Sequence, residues 1–377
     1  MTSEASPTPL ARELMQQIRA QGAITFAEFM HQCLYHPALG YYSRAESERF
    51  ADFYTSVDVH PIFARLLARQ LAEMWERLGR PAEFWAVEAA AGTGRLAAQM
   101  LDFAARELKE FYAALRYTAV EVSAARRAAH ATALGHHISA ARAHSVAELP
   151  AEIPNGCIFS NELLDALPVH RVCVEHGELR EVYVTAEGET LREELRPPST
   201  PEIGGFFRQQ NVTLREGQQA EAGLAACRWL ADAGARLQRG FVLTVDYGHE
   251  TAGLYNERRQ RGTVMAYSRH TVSDDLLRSP GEQDLTAHVN FTALDLWGRR
   301  VGLERTGLVT QLAFLVALGR GNEFADLYEP GASEVEKLRG RLLLKTLIHP
   351  EGMGETFRVL IQHKGIKAPA LTGLAPL

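Results

Sequence analysis

The chain has 377 residues, 46% of them hydrophobic, enough for a large core plus a second domain or sizeable insertions. A formal net charge of -6 leaves no overall basic footprint, which disfavours nucleic acid as a partner. No apolar run approaches the roughly 20 residues of a membrane-spanning helix, and the four cysteines, Cys33, Cys157, Cys173 and Cys227, lack metal-ligand or C-x-x-C spacing and read as reduced thiols of a cytoplasmic protein.

The opening "MTSEASPTPL" has neither a signal-peptide core nor an arginine-rich transit pattern and is expected to be a short disordered leader. Residues 1–75 read as a helical N-terminal region and pocket lid, interrupted by "YHPALGYYS" and "FADFYTSVDVHP". The aromatics Tyr41, Tyr42, Phe53 and Tyr54 suit either closure over a pocket or ordinary core. A sheet then begins near Glu83, opening a segment expected over 76–168. In "FWAVEAAAGTGRLAAQM", Phe84 to Val87 suit a buried strand, whereas Leu96, Ala97, Met100 and Leu101 recur at helical spacing. The strand must therefore turn into a helix between Gly92 and Arg95, the first βα turn of an open α/β sheet, with a ligand crevice outside the strand's carboxyl end. A tight connection with nothing bound would read the same from this stretch.

Two ligands compete for the turn. Gly92, Gly94 and Ala97 fit G-x-G-x-x-G/A, in which a pyrophosphate sits on the helix N-terminus. An earlier register, Glu88, Ala90, Gly92 and Gly94, resembles the E/D-x-G-x-G-x-G pattern of Rossmann-like methyltransferases. A carboxylate at Glu88 suits the cationic sulfonium and amino groups of S-adenosylmethionine better than a pyrophosphate. The next strand, Tyr117 to Val122, carries Glu121 and Val122 at its end and precedes a helix capped by Ser123. Glu121 can accept both ribose hydroxyls, which supports a nucleoside without choosing between the two cofactors.

After a third βα pass, "GCIFSNELLDALPVHRV" presents a buried strand, a polar turn and a second apolar strand. Charged, alternating sequence over 169–238 suggests inserted antiparallel hairpins followed by a helix near 217–238. Over 239–377 the main domain resumes: "GFVLTVDYG" is a strand ending in Asp246, and "GETFRVLIQHKG" is a last, antiparallel strand of the kind that separates methyltransferase sheets from plain dinucleotide folds.

The segments "HPALGYYS", "ADFYTSVDV", "VEAAAGTGRLAAQML", "AVEVS", "SNELLDALPVHRV", "LTVDYG", "RGTVMAYSRH" and "PGEQDLTAHVNFTAL" follow one another as in the MidA family, which the chain resembles over about residues 20–320. The resemblance implies an α/β fold with a Rossmann-like class I methyltransferase sheet, a helical N-terminal region and an inserted α+β subdomain. It further implies S-adenosyl-L-methionine as cofactor, a protein arginine as acceptor, and a subunit of respiratory complex I as partner, in a bacterial cytoplasm. Two positions depart from the pattern: the first glycine of the turn is Ala90, and the glycine of a G-D-F segment is Ala51. A methyl group at Ala90 is expected to demand negative φ or a slightly shifted loop, because the left-handed region costs a non-glycine residue on the order of 1 kcal/mol.

Arginine is a difficult acceptor, since its guanidinium is always protonated in water. A carboxylate fork would orient it and draw charge away from the attacking nitrogen. Glu162 and Asp165 of "SNELLDALPV" are assigned to that task, with Asn161 as a positioning dipole, although Asp165 suits the cap of a short helix equally well. Asp246 would line the same crevice, and His288 would accept the released proton. Two other functions remain open: a nicotinamide-dependent oxidoreductase, and an assembly chaperone that has lost catalysis, for which Ala90 is the motive.

Overall fold

Seven runs of aliphatic, aromatic and β-branched residues form the main sheet: β1 Phe84–Ala89, β2 Leu115–Val120, β3 Ala143–Val146, β4 Gly156–Asn161, β5 Gly240–His249, β6 Glu304–Thr310 and β7 Phe357–Lys364. Their lateral order in the computed structural model, which describes residues 6–43, 56–268, 271–329 and 331–376, is β3-β2-β1-β4-β5-β7-β6. β1 to β5 pair in parallel, and β7 inserts antiparallel to both its neighbours, as the last strand was expected to do. The order reverses between β1 and β4, which creates a topological switch point at their carboxyl ends. Helices Ile62–Arg77 and Arg95–Glu107 share a core with Phe84, Ala86, Phe159, Phe241 and Leu243, and the alternate residues Val87, Ile158 and Val242 are buried as well, so the strands read as continuous apolar runs rather than alternating ones.

This unit comprises Tyr54–Leu163, Trp229–Tyr247 and Asp295–Leu377. The second comprises Met1–Phe53, Leu164–Arg228 and Gly248–Leu294, and has its own core around Leu10, Leu14, Phe29, Val182, Val184 and Leu285. Here the expected hairpins form. Glu178–Glu187 pairs antiparallel with Thr190–Arg196 along one edge, and with His170–Glu175 and Ile24–Thr25 along the other. Positive φ at His176 and Gly177 makes the first hairpin turn. A separate three-stranded sheet centres on Met265–Ser268.

Three boundaries differ from expectation. Gln219–Ala222 is a strand paired with His170–Cys173, and the helix expected from 217 starts only at Leu224. Gln, Ala and Glu favour helix locally, but the ladder offered by a neighbouring strand overrides that preference. β5 runs on past Asp246 to His249, where its last two residues pair with Val289 and Asn290. β2 stops at Val120, leaving Glu121 and Val122 in the loop beyond it. Tyr41 is buried in the second unit's core, and Tyr42 packs against it and donates its hydroxyl to Asp284 at 3.0 Å. The first five residues of the expected leader, Ala51, Phe53 and Tyr54 lie outside the described residues. Among the described residues no helix is long and apolar enough to cross a membrane.

At the amino edge of the sheet two glycines sit side by side. Gly240 (φ 141°) is in register with Gly156 (φ 149°), and a Cβ on Gly240 would lie 2.0 Å from the Gly156 carbonyl oxygen. Gly240→Ala therefore forces β4 and β5 apart. We expect a loss of about 3 kcal/mol in urea-denaturation stability, the sum of backbone strain and overpacking.

Candidate active site

The crevice edge is built by the turn after β1. Ala90 takes the left-handed conformation, φ 57°, so the expected negative φ or shifted loop does not occur. Ala90 is exposed, so its methyl group adds no packing clash to the local backbone cost. The next residues are pinned in sequence: Ala91 N–H donates to the Val120 carbonyl at 2.9 Å, Gly92 N–H to Glu121 Oε2 at 3.0 Å, and Gly94 N–H to the Ala91 carbonyl at 2.9 Å. Gly92 (φ 57°) and Gly94 (φ 83°) complete the turn, and Gly94 caps helix Arg95–Glu107. Around Gly92 an added Cβ would meet nothing within 4 Å, so the backbone there is open to close approach.

Glu121 is 3% exposed and holds both strand ends together. Besides Gly92, it accepts the Ser123 N–H on Oε1 at 2.9 Å, and Arg126 stands 3.8 Å from Oε2. A carboxylate has about four acceptor positions, so capacity for ribose hydroxyls remains. Val122, next to it, is 74% exposed and presents an apolar surface at the same edge. Glu88 behaves differently from the sequence expectation. It is buried, accepts the Tyr117 hydroxyl at 2.5 Å, and is pushed up to about 8 by burial, against the lowering effect of that bond and with a further push from Glu121. At neutral pH it is largely uncharged, so the charge argument that suited it to a cationic ligand loses force.

Across the switch point, β4 ends at Asn161 and the chain bends at Glu162, a non-glycine residue at φ 54°. Glu162 N–H donates to the Val245 carbonyl at 3.0 Å, and its Oε1 accepts Asn161 Nδ2 at 2.9 Å and the Ser56 N–H at 3.3 Å. Ser56 in turn donates to Gln311 Oε1 at 3.1 Å. Asp246 is fully buried and accepts the Leu163 and Tyr247 N–H groups at 3.2 and 2.9 Å, so its carboxylate secures the turn that carries Glu162. The sequence places Ser56 only within a motif; its bond to Glu162, 106 positions on, depends on the fold.

Asp165 and His288 belong to the other unit. Residues 164–167 form a turn, so Asp165 caps no helix; its backbone carbonyl accepts the Ala287 N–H at 2.9 Å, which brings the two motifs together. Asp165 and Asp284 both act on the Tyr42 and Tyr267 hydroxyls, which burial already raises. His288 is lowered to about 4 by burial, then by Arg259 and His249. It is neutral at physiological pH and too weak a base to keep a released proton there. Among the described residues, one group gathers three metal-ligand side chains, Asp102, His136 and His137; the Asp102 Oδ1 lies 3.1 Å from both imidazole Nε2 atoms, and Asp102 and His136 are exposed.

The open glycine backbone, the spare acceptor capacity of Glu121 and the apolar surface of Val122 fit an adenosyl group. Two outcomes follow. Ala90→Gly relieves left-handed strain of about 1 kcal/mol against an unfolded-state entropy term of about 0.4–1 kcal/mol; calorimetry should find S-adenosylhomocysteine affinity equal or better, with stability unchanged or slightly raised. Glu88 titrates at about 8 when folded and 4.5 ordinarily, so its stabilisation is complete below pH 4.5 and is lost as pH rises through 8. Glu88→Gln should therefore gain on wild type, in denaturation at pH 5, 7 and 9, as the pH rises.

Known proteins match this chain along most of its length. Residues 66–309 match the family described as "Putative S-adenosyl-L-methionine-dependent methyltransferase". Named relatives include the protein arginine methyltransferase NDUFAF7 of Bos taurus mitochondria, 29% identical over 94% of this chain and 83% of the relative. The Drosophila melanogaster homolog of that enzyme is 26% identical over 98% and 88%. A candidate methyltransferase from Burkholderia thailandensis, solved with S-adenosyl-homocysteine bound, superposes with a TM-score of 0.86 at 30% identity, covering 99% of this chain and 98% of the other. Because the family match takes in more than half of the sequence, including the glycine turn, Glu121 and Glu162, the chain belongs to this family of S-adenosyl-L-methionine-dependent methyltransferases.

Proposed function

We propose that the acceptor is an arginine side chain of a protein, and that a respiratory complex I subunit is the first acceptor to test, as the MidA resemblance implies. The observation that carries this reading is Glu162: a carboxylate held at the carboxyl end of β4, across the switch point from the glycine turn, on a residue whose backbone is strained at φ 54°. Such strain costs of order 1–3 kcal/mol and clusters where function requires it. The names of the relatives, protein arginine methyltransferases matched over nearly the whole chain, support the same reading.

In this reading the Ala90–Gly94 turn, Glu121 and Val122 hold the cofactor, with Glu121 accepting the ribose hydroxyls. The bound cofactor supplies an electrophilic methyl group. Glu162 accepts guanidinium N–H groups, which orients one nitrogen and localises positive charge on the others. Asn161 and the Ser56 N–H fix the Oε1 of Glu162, so the carboxylate is aimed before the acceptor arrives. Asp165 and His288, in the other unit, carry no step here.

Purified protein incubated with labelled S-adenosylmethionine and bacterial lysate should transfer label to an arginine, identified by peptide mass spectrometry. Glu162→Gln keeps shape and hydrogen bonding but removes charge. Transfer should fall tenfold or more, each decade corresponding to about 1.4 kcal/mol of transition-state stabilisation, while S-adenosylhomocysteine affinity is unchanged. Label on lysine or on a small molecule, or full activity in Glu162→Gln, would overturn the arginine reading.

A further inference from the structure

Beneath the glycine turn lies a fully buried histidine that takes part in none of the chemistry above. His130, on helix Ala124–Ala133, places its ring Nε2 2.9 Å from the Gly92 carbonyl oxygen and its Nδ1 2.7 Å from the Ser145 hydroxyl on β3. A carbonyl oxygen can only accept, so Nε2 carries a hydrogen and donates it to Gly92. In the neutral ring Nδ1 then accepts the hydroxyl hydrogen of Ser145; the Gly92 carbonyl sets the tautomer, and the serine hydroxyl, which can rotate to donate or accept, completes it. The ring also fills the space that Gly94 leaves: a Cβ there would stand 3.0 Å from His130 Cδ2.

Gly92 is thus gripped at both of its backbone polar groups, the N–H by Glu121 and the carbonyl by His130. Glycine has no side chain to oppose rotation of its flanking peptides, so its conformation depends on such outside anchors. Because the Gly92–Thr93 peptide is planar and trans, holding the Gly92 oxygen against His130 also turns the Thr93 N–H away from the ring. One hydrogen bond therefore sets the direction of a whole peptide unit in the turn.

We propose that His130 is a positioning residue for the cofactor: its Nε2–H locks the Gly92–Thr93 peptide in the orientation that the turn needs to receive S-adenosylmethionine, and Ser145 anchors the ring through Nδ1. A histidine that only filled the core would be replaceable by any ring of similar size. A positioning residue requires the donor, whatever the shape of the group that carries it.

Two substitutions separate these roles. His130→Phe keeps an aromatic ring and loses the donor; His130→Gln loses the ring and keeps an N–H at a similar reach. Calorimetry with S-adenosylhomocysteine should show affinity about tenfold lower for the Phe variant and within about threefold of wild type for the Gln variant, the range set by one buried hydrogen bond. In the methyl-transfer assay the Phe variant should raise KM for S-adenosylmethionine, with little change in kcat at saturation. Wild-type affinity in the Phe variant, with only a lowered melting temperature, would overturn the proposal, as would equal losses in Phe and Gln. If the Phe variant does not fold, Ser145→Ala decides: a loss of about threefold in affinity supports the positioning role, and unchanged affinity overturns it.

Discussion

The site depends first on a single carboxylate. Glu121 accepts one N–H from the turn after β1 and another from the start of the helix after β2, so it ties together two loops that approach from adjacent strands. Bonds to a charged acceptor contribute about 1.5–3 kcal/mol each, more than the left-handed strain that the neighbouring alanine accepts. That imbalance explains why Ala90 can occupy a glycine conformation: the turn is held from outside. His130 opposes Glu121 across the same glycine residue, and the two anchors leave the intervening backbone little freedom.

Strain is distributed on both sides of the switch point. Ala90 follows β1 and Glu162 follows β4, and both have positive φ without being glycine. Asp246 stabilises the second bend as Glu121 stabilises the first, by accepting an N–H from just beyond it, that of Leu163. Neighbouring parallel strands thus end almost level, Ala89 beside Ser160, and each is followed by a hydrogen-bonded bend at the same edge of the sheet. The proposed chemistry would use that placement, with a nucleoside held at the ends of β1 and β2 and the Glu162 carboxylate at the end of β4.

Much of this arrangement was legible in the sequence. The strands around Phe84, Tyr117, Cys157, Phe241 and Phe357 declare themselves because a sheet covered on both faces needs uninterrupted apolar runs, and the turn declares itself through Gly92 and Gly94. What stayed hidden depends on partners distant along the chain. Residues 219–222 have helix-forming composition and become a strand only because His170–Cys173 offers a ladder. Glu88 looks like a charged group until Tyr117 and burial alter it. His130 sits in an Ala- and Arg-rich helix; its signal is that Leu134 follows four residues on, which puts both on one buried face, where an imidazole must find two polar partners. The φ of Glu162 has no sequence signature at all.

The insertion of β7 between β5 and β6 bears on how the molecule is made. Gly240 at the start of β5 pairs with Lys364 at the end of β7, so one whole edge of β5 has no partner until synthesis has passed residue 364. During that interval a long apolar strand, Phe241 to Val245, presents open backbone donors and acceptors to whatever else is nearby. Contacts of such long sequence separation also form late and slowly. The feature that distinguishes this sheet from a plain dinucleotide fold therefore leaves the nascent chain with an open strand edge, and makes truncation before β7 an aggregation hazard rather than a simple loss of activity.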